Sequence, residues 1–219
     1  ISQIERKKGI KRTIQYRPDG NDFVCVNGKN RYTRALYGGI TDFRIETSDR
    51  PVFATYKPKD SKHICFRLQC GNQSIALDSL KFCEARYRAG RRTYRLTDPL
   101  LGKGELNISV LAFPDAEGGI WRFTMKDMPE GALLHCYISE IRAKNLSRNG
   151  DMGADRADSF DAPQLPKEQK HYKLSLDGTT AYIVVEDQEL RLPALVEGTS
   201  LYDKSEKWRS EIESSLQIS

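Results

Sequence analysis

Apolar and polar residues alternate with a period of two along most of this chain, and that pattern suits strands and little else. Ile64, Phe66, Leu68 and Cys70 fall on one side of one run, with His63, Cys65, Arg67 and Gln69 on the other. Cys83, Ala85, Tyr87 and Ala89 alternate with Glu84, Arg86 and Arg88. Leu106, Ile108, Val110 and Ala112 alternate with polar Asn107 and Ser109, and Leu134, Cys136 and Ile138 share one face. Successive strand side chains point to opposite faces, so each run suits a half-buried strand. Turn signals separate the runs: Pro18-Asp19-Gly20, Asn27-Gly28, Gly38-Gly39, Gly71-Asn72, Gly118-Gly119, Pro129-Glu130-Gly131 and Asp177-Gly178. The runs add up to about a dozen strands, a number and spacing that imply a sandwich or barrel. The expected fold is an all-β, antiparallel β-sandwich. The stretches Tyr172 to Leu176 and Ala181 to Val185 read as a hairpin, and Asn27-Gly28 also suits a tight hairpin turn.

Two regions depart from the alternation. Residues 142–170 are polar and broken by Asn149-Gly150-Asp151, Gly153, Pro163 and Pro166, and they read as a long excursion between two strands. Near the C-terminus, Leu201, Ser205, Trp208, Ile212 and Leu216 fall on one face of a helix, with Asp203 and Glu206 as a capping box. Such a helix needs a surface to pack on. The organisation expected is a sandwich over residues 1–200 and a C-terminal amphipathic helix over 201–219.

Composition narrows the function classes. Of the 219 residues, 38% are hydrophobic and 30% charged, a balance that supports a packed core. No stretch approaches the roughly 18 apolar residues of a membrane span. The net charge of +5 sets 35 basic against 30 acidic residues, a mixed surface that argues against nucleic acid as a partner. The first residue is Ile1, which suggests a trimmed N-terminus. Cys25, Cys65, Cys70, Cys83 and Cys136 form no CxxC pair and no Cys/His pattern at ligand spacing, so buried thiols are expected and no metal or other cofactor is implied.

The densest polar segment is Tyr16 to Tyr37. Asn27, Lys29, Asn30, Arg31, Tyr32, Arg34 and Tyr37 combine amides, cations and aromatic rings. Amides and guanidinium groups match sugar hydroxyls and carboxylates, and aromatic faces pack on pyranose rings. Composition alone favours a plainer role, a polar turn whose arginines brace neighbouring strands. Glycoside hydrolysis needs two facing carboxylates. Asp42, Glu46, Asp49, Asp115, Glu117 and Glu140 are available, but nothing in the sequence pairs any two. His63, His135 and His171 are far apart and lack motif context, so no catalytic residue is nominated. Trp121, alternating with Phe123, reads as core. Arg86, Arg88, Arg91, Arg92 and Arg95 read as an exposed strand face laced with weak ion pairs, in preference to an attractor for acidic glycans.

The segment Tyr16-Arg-Pro-Asp-Gly-Asn-Asp-Phe-Val, continuing through Asn27-Gly-Lys-Asn-Arg-Tyr-Thr-Arg-Ala-Leu-Tyr-Gly38, resembles the opening of a Bacteroidetes family catalogued as domain of unknown function 4450. Thr41 to Glu46, Ser48 to Tyr56, Gly102 to Leu106 and Arg148 to Gly153 fit the same resemblance. It implies a supersandwich-like β-sandwich set in front of an (α/α)-toroid, in exported, periplasmic proteins of polysaccharide utilisation. The toroid of such proteins carries the catalytic carboxylates, and the sandwich lends residues to the cleft rim. The expectation is therefore a non-catalytic, carbohydrate-associated domain, with Asn27, Asn30, Arg31, Arg34 and Tyr37 as rim contacts. A toroid partner would pack near Trp208 and Leu216. The rivals are a stand-alone sandwich glycosidase or lyase, and a free glycan-binding module.

Overall fold

The computed structural model describes residues 15–39, 41–57, 61–140, 170–176, 178–186, 189–191 and 217–218. Among these, the strands form two antiparallel sheets. The first runs, in spatial order, β1 (Arg17–Asp19), β2 (Asp22–Val26), β8 (Phe82–Arg88), β9 (Arg91–Thr97), β10 (Glu105–Ala112), β11 (Gly118–Lys126), β14 (Thr180–Glu186) and β15 (Glu189–Arg191). The second runs β16 (Gln217–Ile218), β13 (Lys170–Ser175), β12 (Leu133–Glu140), β6 (Lys62–Cys70), β5 (Phe53–Tyr56), β4 (Arg44–Ser48) and β3 (Tyr32–Leu36), with β7 (Gln73–Ala76) also paired to β6. Two short 3-10 turns, Leu77–Ser79 and Pro99–Leu101, are the helical pieces among the described residues. The expected all-β sandwich is the fold observed. Of the helix expected over 201–219, Trp208 and Leu216 lie outside the described residues, whereas Gln217–Ile218 form a strand paired to β13; of the excursion expected over 142–170, residues 142–169 lie outside them and Lys170 begins β13. No helix among the described residues is long and apolar enough to cross a membrane.

The alternating runs bury the faces assigned to them. Ile64, Phe66 and Leu68 of β6 and Leu134, Cys136 and Ile138 of β12 are buried opposite Leu106, Ile108 and Val110 of β10 and Cys83 and Ala85 of β8. The two layers interlock through aromatic rings. Phe53 of the second sheet meets Tyr94 and Trp121 of the first edge-to-face, at centroid distances of 5.6 and 5.7 Å, and Phe66 meets Phe123 at 5.4 Å. Trp121 is fully buried, as its alternation with Phe123 implied.

Three local readings need correction. The runs around Asp177-Gly178 do not pair as a hairpin: β13 joins β12 in the second sheet and β14 joins β11 in the first. The Leu176 amide donates to the Ala132 carbonyl, next to β12, and the Met125 amide of β11 donates to the Thr179 carbonyl, so the two runs are tied to different layers. Longer partner strands outcompete the local turn. Asn27-Gly28 is likewise a crossover, from β2 in the first sheet to β3 in the second. Gly118-Gly119 begins β11 and makes no turn of its own. A Cβ at Gly119 would lie 2.6 Å from the carbonyl oxygen of Leu111 on the neighbouring strand and 2.2 Å from Ile45 Cδ1 of the facing sheet, so the backbone of its own sheet leaves no room for a side chain here.

The outward face of the second sheet holds His63, 9% exposed, beside Ala54 and Ser139 on the neighbouring strands. Neither ring nitrogen meets a hydrogen-bond partner among the described residues. Burial lowers its pKa from 6.5 to about 4. Above about pH 6.5 both folded and unfolded states hold a neutral ring, and stability is unaffected. As the pH falls toward 4, only the unfolded chain takes up the proton readily, so about 2 kcal/mol of stability is lost by pH 5. Urea unfolding at pH 7 and pH 5 should show a smaller acid-induced drop for His63→Leu than for the parent. Equal drops in the two proteins would contradict this assignment.

Candidate functional site

The segment Ser48-Asp49-Arg50 closes one edge of the sandwich around a buried arginine. Arg92, on β9, points inward and is fully buried. Its Nε donates to Tyr94 Oη at 3.2 Å, and one terminal nitrogen donates to the Ser48 carbonyl at 2.9 Å and to Tyr16 Oη at 2.5 Å. The tyrosines pass the polarity on. Tyr94 Oη donates to the Ser48 carbonyl at 2.6 Å, and Tyr16 Oη donates to Asp49 Oδ1 at 2.6 Å. Thr33 Oγ1 donates to the same carboxylate oxygen at 2.8 Å. Asp49, too, is fully buried, so Tyr16 is the hydrogen-bonding bridge between a buried cation and a buried acid.

A tyrosine beside a cation and an acid is the kind of set a lyase could use, but this one is placed for structure. Asp49 and Arg92 have no solvent exposure. Burial is the largest influence on Tyr16 and pushes its pKa up, the wrong direction for a base. Burial also pushes Tyr94 up, to about 12. Both phenols therefore stay protonated and donate. Arg50 ties three segments together from the same turn: Nε donates to the Gly28 carbonyl, and one terminal nitrogen donates to the carbonyls of Asp78 and Leu80.

The five nominated contact residues separate. Asn27 has a positive φ of 49°, which ends β2, and its side-chain oxygen accepts from the Cys83 amide at 2.9 Å. Asn30, with φ 55°, donates to Asp78 Oδ2 at 2.7 Å and accepts from Ser48 Oγ at 2.7 Å. Arg34 lies over the rings of Tyr16 and Tyr87, at 5.0 and 5.2 Å from their centroids. Arg31 and Tyr37 are exposed, Tyr37 by 62%. They flank β3 at opposite ends, about 20 Å apart at the rise of an extended strand. Sequence reasoning did not single out Asp49 and Arg50 as a turn that folds inward. It also placed Arg92 on an exposed stripe. Register corrects this: Arg92 faces the same way as the apolar positions Tyr94 and Leu96, a signal already present in the alternation of β9.

The outward members Arg86, Arg88 and Arg95 of that stripe are ion-paired, as expected, and Arg91 is exposed. Arg86 meets Glu84 at 2.7 Å and Asp19 at 2.9 Å, Arg88 meets Asp22 at 2.7 Å, and Arg95 meets Glu105 at 3.3 Å. These arginines stand on the solvent face of the first sheet, where cross-strand register lines up two polar rows. One row is Arg86, Thr93, Ser109, Arg122 and Tyr182, on β8, β9, β10, β11 and β14. The other is Glu84, Arg95, Asn107, Thr124 and Thr180 on the same strands. Their members on β8 to β11 line a hollow of about 280 Å³, with short hydroxyl and amide side chains on its floor and Arg86, Arg95 and Arg122 around it, and Tyr182 and Thr180 continue the rows beyond it on β14. Arg122 is exposed and has no acidic partner among the described residues. The Asn107 amide, with Arg95, holds the Glu105 carboxyl below its usual range.

Other candidate chemistry is scattered. The thiols of Cys25, Cys83 and Cys136 are buried, and burial pushes Cys83 up to about 12 and Cys65 up to about 11. Glu46 pairs with Arg44 at 2.6 Å, and Glu117 pairs with Lys57. Among the described residues no three His, Cys, Asp or Glu side chains converge as a metal site.

A family model described as Domain of unknown function (DUF4450) matches residues 58–186, more than half of the chain. The stretches Gly102 to Leu106 and Arg148 to Gly153 fall inside the match, whereas Tyr16 to Gly38 and Thr41 to Tyr56 precede it. No curated protein matches the chain.

The buried bridge gives a measurable coupling. Tyr16→Phe should destabilise the fold by about 2 kcal/mol, because it strips a hydrogen bond from both Asp49 and Arg92. Asp49→Asn should cost more, since it leaves the guanidinium buried without its acid. Chemical denaturation of both variants and the double variant should return a coupling of at least about 1 kcal/mol. Additive losses would show that Tyr16 does not join the two charges.

Proposed function

We propose that this chain, which belongs to the DUF4450 family, is a non-catalytic, carbohydrate-associated β-sandwich that binds saccharide on the solvent face of its first sheet. The observation that carries this is the hollow over β8 to β11, with Tyr182 of β14 next to it in register. Thr93, Ser109, Asn107 and Thr124 offer hydroxyls and an amide on its floor, arginines stand at its rim, and Tyr182 ends one row. Hydroxyl and amide groups both donate and accept, as sugar hydroxyls do, and an aromatic ring packs on the apolar face of a pyranose. The row crosses five strands, about 19 Å at ordinary interstrand spacing, which is room for more than one sugar ring.

Binding without bond cleavage fits the same lining. A glycosidase of the usual kind brings two carboxylates to the bond. This hollow offers Glu84, which is already paired with Arg86 and lies 3.7 Å from Arg95. In this reading the module supplies ligand contact and scaffold, and a glycosidase-like partner domain in an exported polysaccharide-utilisation protein supplies the chemistry. Arg31 and Tyr37 reach solvent elsewhere and serve as secondary contacts.

Titration calorimetry of the 219-residue chain against a panel of neutral and acidic oligosaccharides tests this. At least one class should bind, and Ser109→Leu, which fills the floor, or Tyr182→Ala should each weaken it about tenfold, the effect of losing roughly 1.4 kcal/mol. Binding that survives both substitutions would move the site elsewhere. Release of new reducing ends by the chain alone would favour a stand-alone enzyme.

A further inference from the structure

We infer that the hollow on the first sheet selects saccharides bearing a carboxylate, and that Arg122 is the residue that reads the charge; this rests on the reading that the hollow binds saccharide. The three rim arginines are not equivalent. Arg86 is held by Glu84 and Asp19, and Arg95 by Glu105, with Glu84 3.7 Å away. Their guanidinium donors are partly used, and their charge is largely matched. Arg122 is exposed, and no described acid pairs with it. Directly across from it stand Ser109 on one side and Tyr182 on the other, both neutral. It is therefore an unmatched cation in the middle of a row of hydrogen-bonding groups.

The chemistry of the ligand follows from that placement. A guanidinium group presents parallel N–H donors that fit the two oxygens of a carboxylate, and such charge-assisted pairs are about twice as strong as neutral ones. Cross-strand neighbours stand about 5 Å apart, so a sugar ring lying on Tyr182 carries its ring substituents to the Arg122 position. A uronate ring supplies both halves of this contact, an apolar face for the tyrosine and a planar anion for the arginine. A neutral sugar supplies only the first. With Arg86 and Arg95 matched by Glu84, Asp19 and Glu105, the unmatched positive charge at the hollow is that of Arg122.

Oligogalacturonate and hyaluronate fragments, each compared with its methyl-esterified form, separate charge from shape. The acids should bind the chain about tenfold or more tightly than their esters, and the difference should shrink as salt is raised. Arg122→Gln, at an exposed position, should keep the parent's melting temperature and bring acid and ester affinities to within about twofold of each other. Equal affinity for acid and ester would overturn the charge selection while leaving the hollow as a saccharide site. Acid preference that persists in Arg122→Gln would overturn the assignment to this residue. If neither acids, esters nor neutral oligosaccharides bind, the saccharide reading itself fails.

Discussion

Edge-to-face contact between rings of opposite sheets sets the spacing on which the rest of this domain depends. Phe53 stands between Tyr94 and Trp121 of the facing layer, and Phe66 against Phe123. Each such pair adds about 1 kcal/mol beyond the area it buries, and their geometry leaves little freedom in how the layers sit. Where the rings end, the layers close further. A Cβ at Gly38 would fall 1.6 Å from the Phe113 carbonyl oxygen, so glycine at that point allows β3 to lie against the β10–β11 connection.

That closure leaves one edge open, and the chain fills it with charge. Burying Arg92 costs several kcal/mol before any partner is counted. Tyr16, Tyr94 and the Ser48 carbonyl offset much of this, while one Arg92 terminal nitrogen and Asp49 Oδ2 are buried with no partner among the described residues. Those unsatisfied atoms each subtract from what the network contributes to stability. The network fixes where the Tyr16 strand entry, the β2–β3 crossover and the Asp49 turn meet, and Arg50 and Asn30 extend it to the Leu77–Ser79 turn. Three of the five residues nominated for ligand contact are absorbed into this bracing, which leaves the interior edge sealed.

In the proposed reading, ligand contact falls instead to the outward face of the first sheet. Strict alternation puts apolar groups of β8 to β11 inside, and so puts Thr93, Ser109, Asn107 and Thr124 outside by the same rule. Their alignment across neighbouring strands is a matter of register. Register also places Arg86 and Arg95 beside acids and leaves Arg122, across from Ser109 and Tyr182, with no acidic partner among the described residues.

The sequence by itself determined which faces are buried and that the chain forms two packed antiparallel layers, because burial of a strand face is a local, period-two property. The inward positions of β6, β10 and β12 and the core role of Trp121 were legible for that reason. Strand pairing was not. Tyr172 to Leu176 and Ala181 to Val185 read as a hairpin, yet they belong to different sheets, because alternation carries no information about which strand lies alongside. Arg92 broke its stripe because charge is a poorer guide to direction than the neighbours Tyr94 and Leu96. Only the tertiary structure decided which polar residues brace the sandwich edge and which line the open hollow, since that choice depends on contacts between segments far apart in the chain.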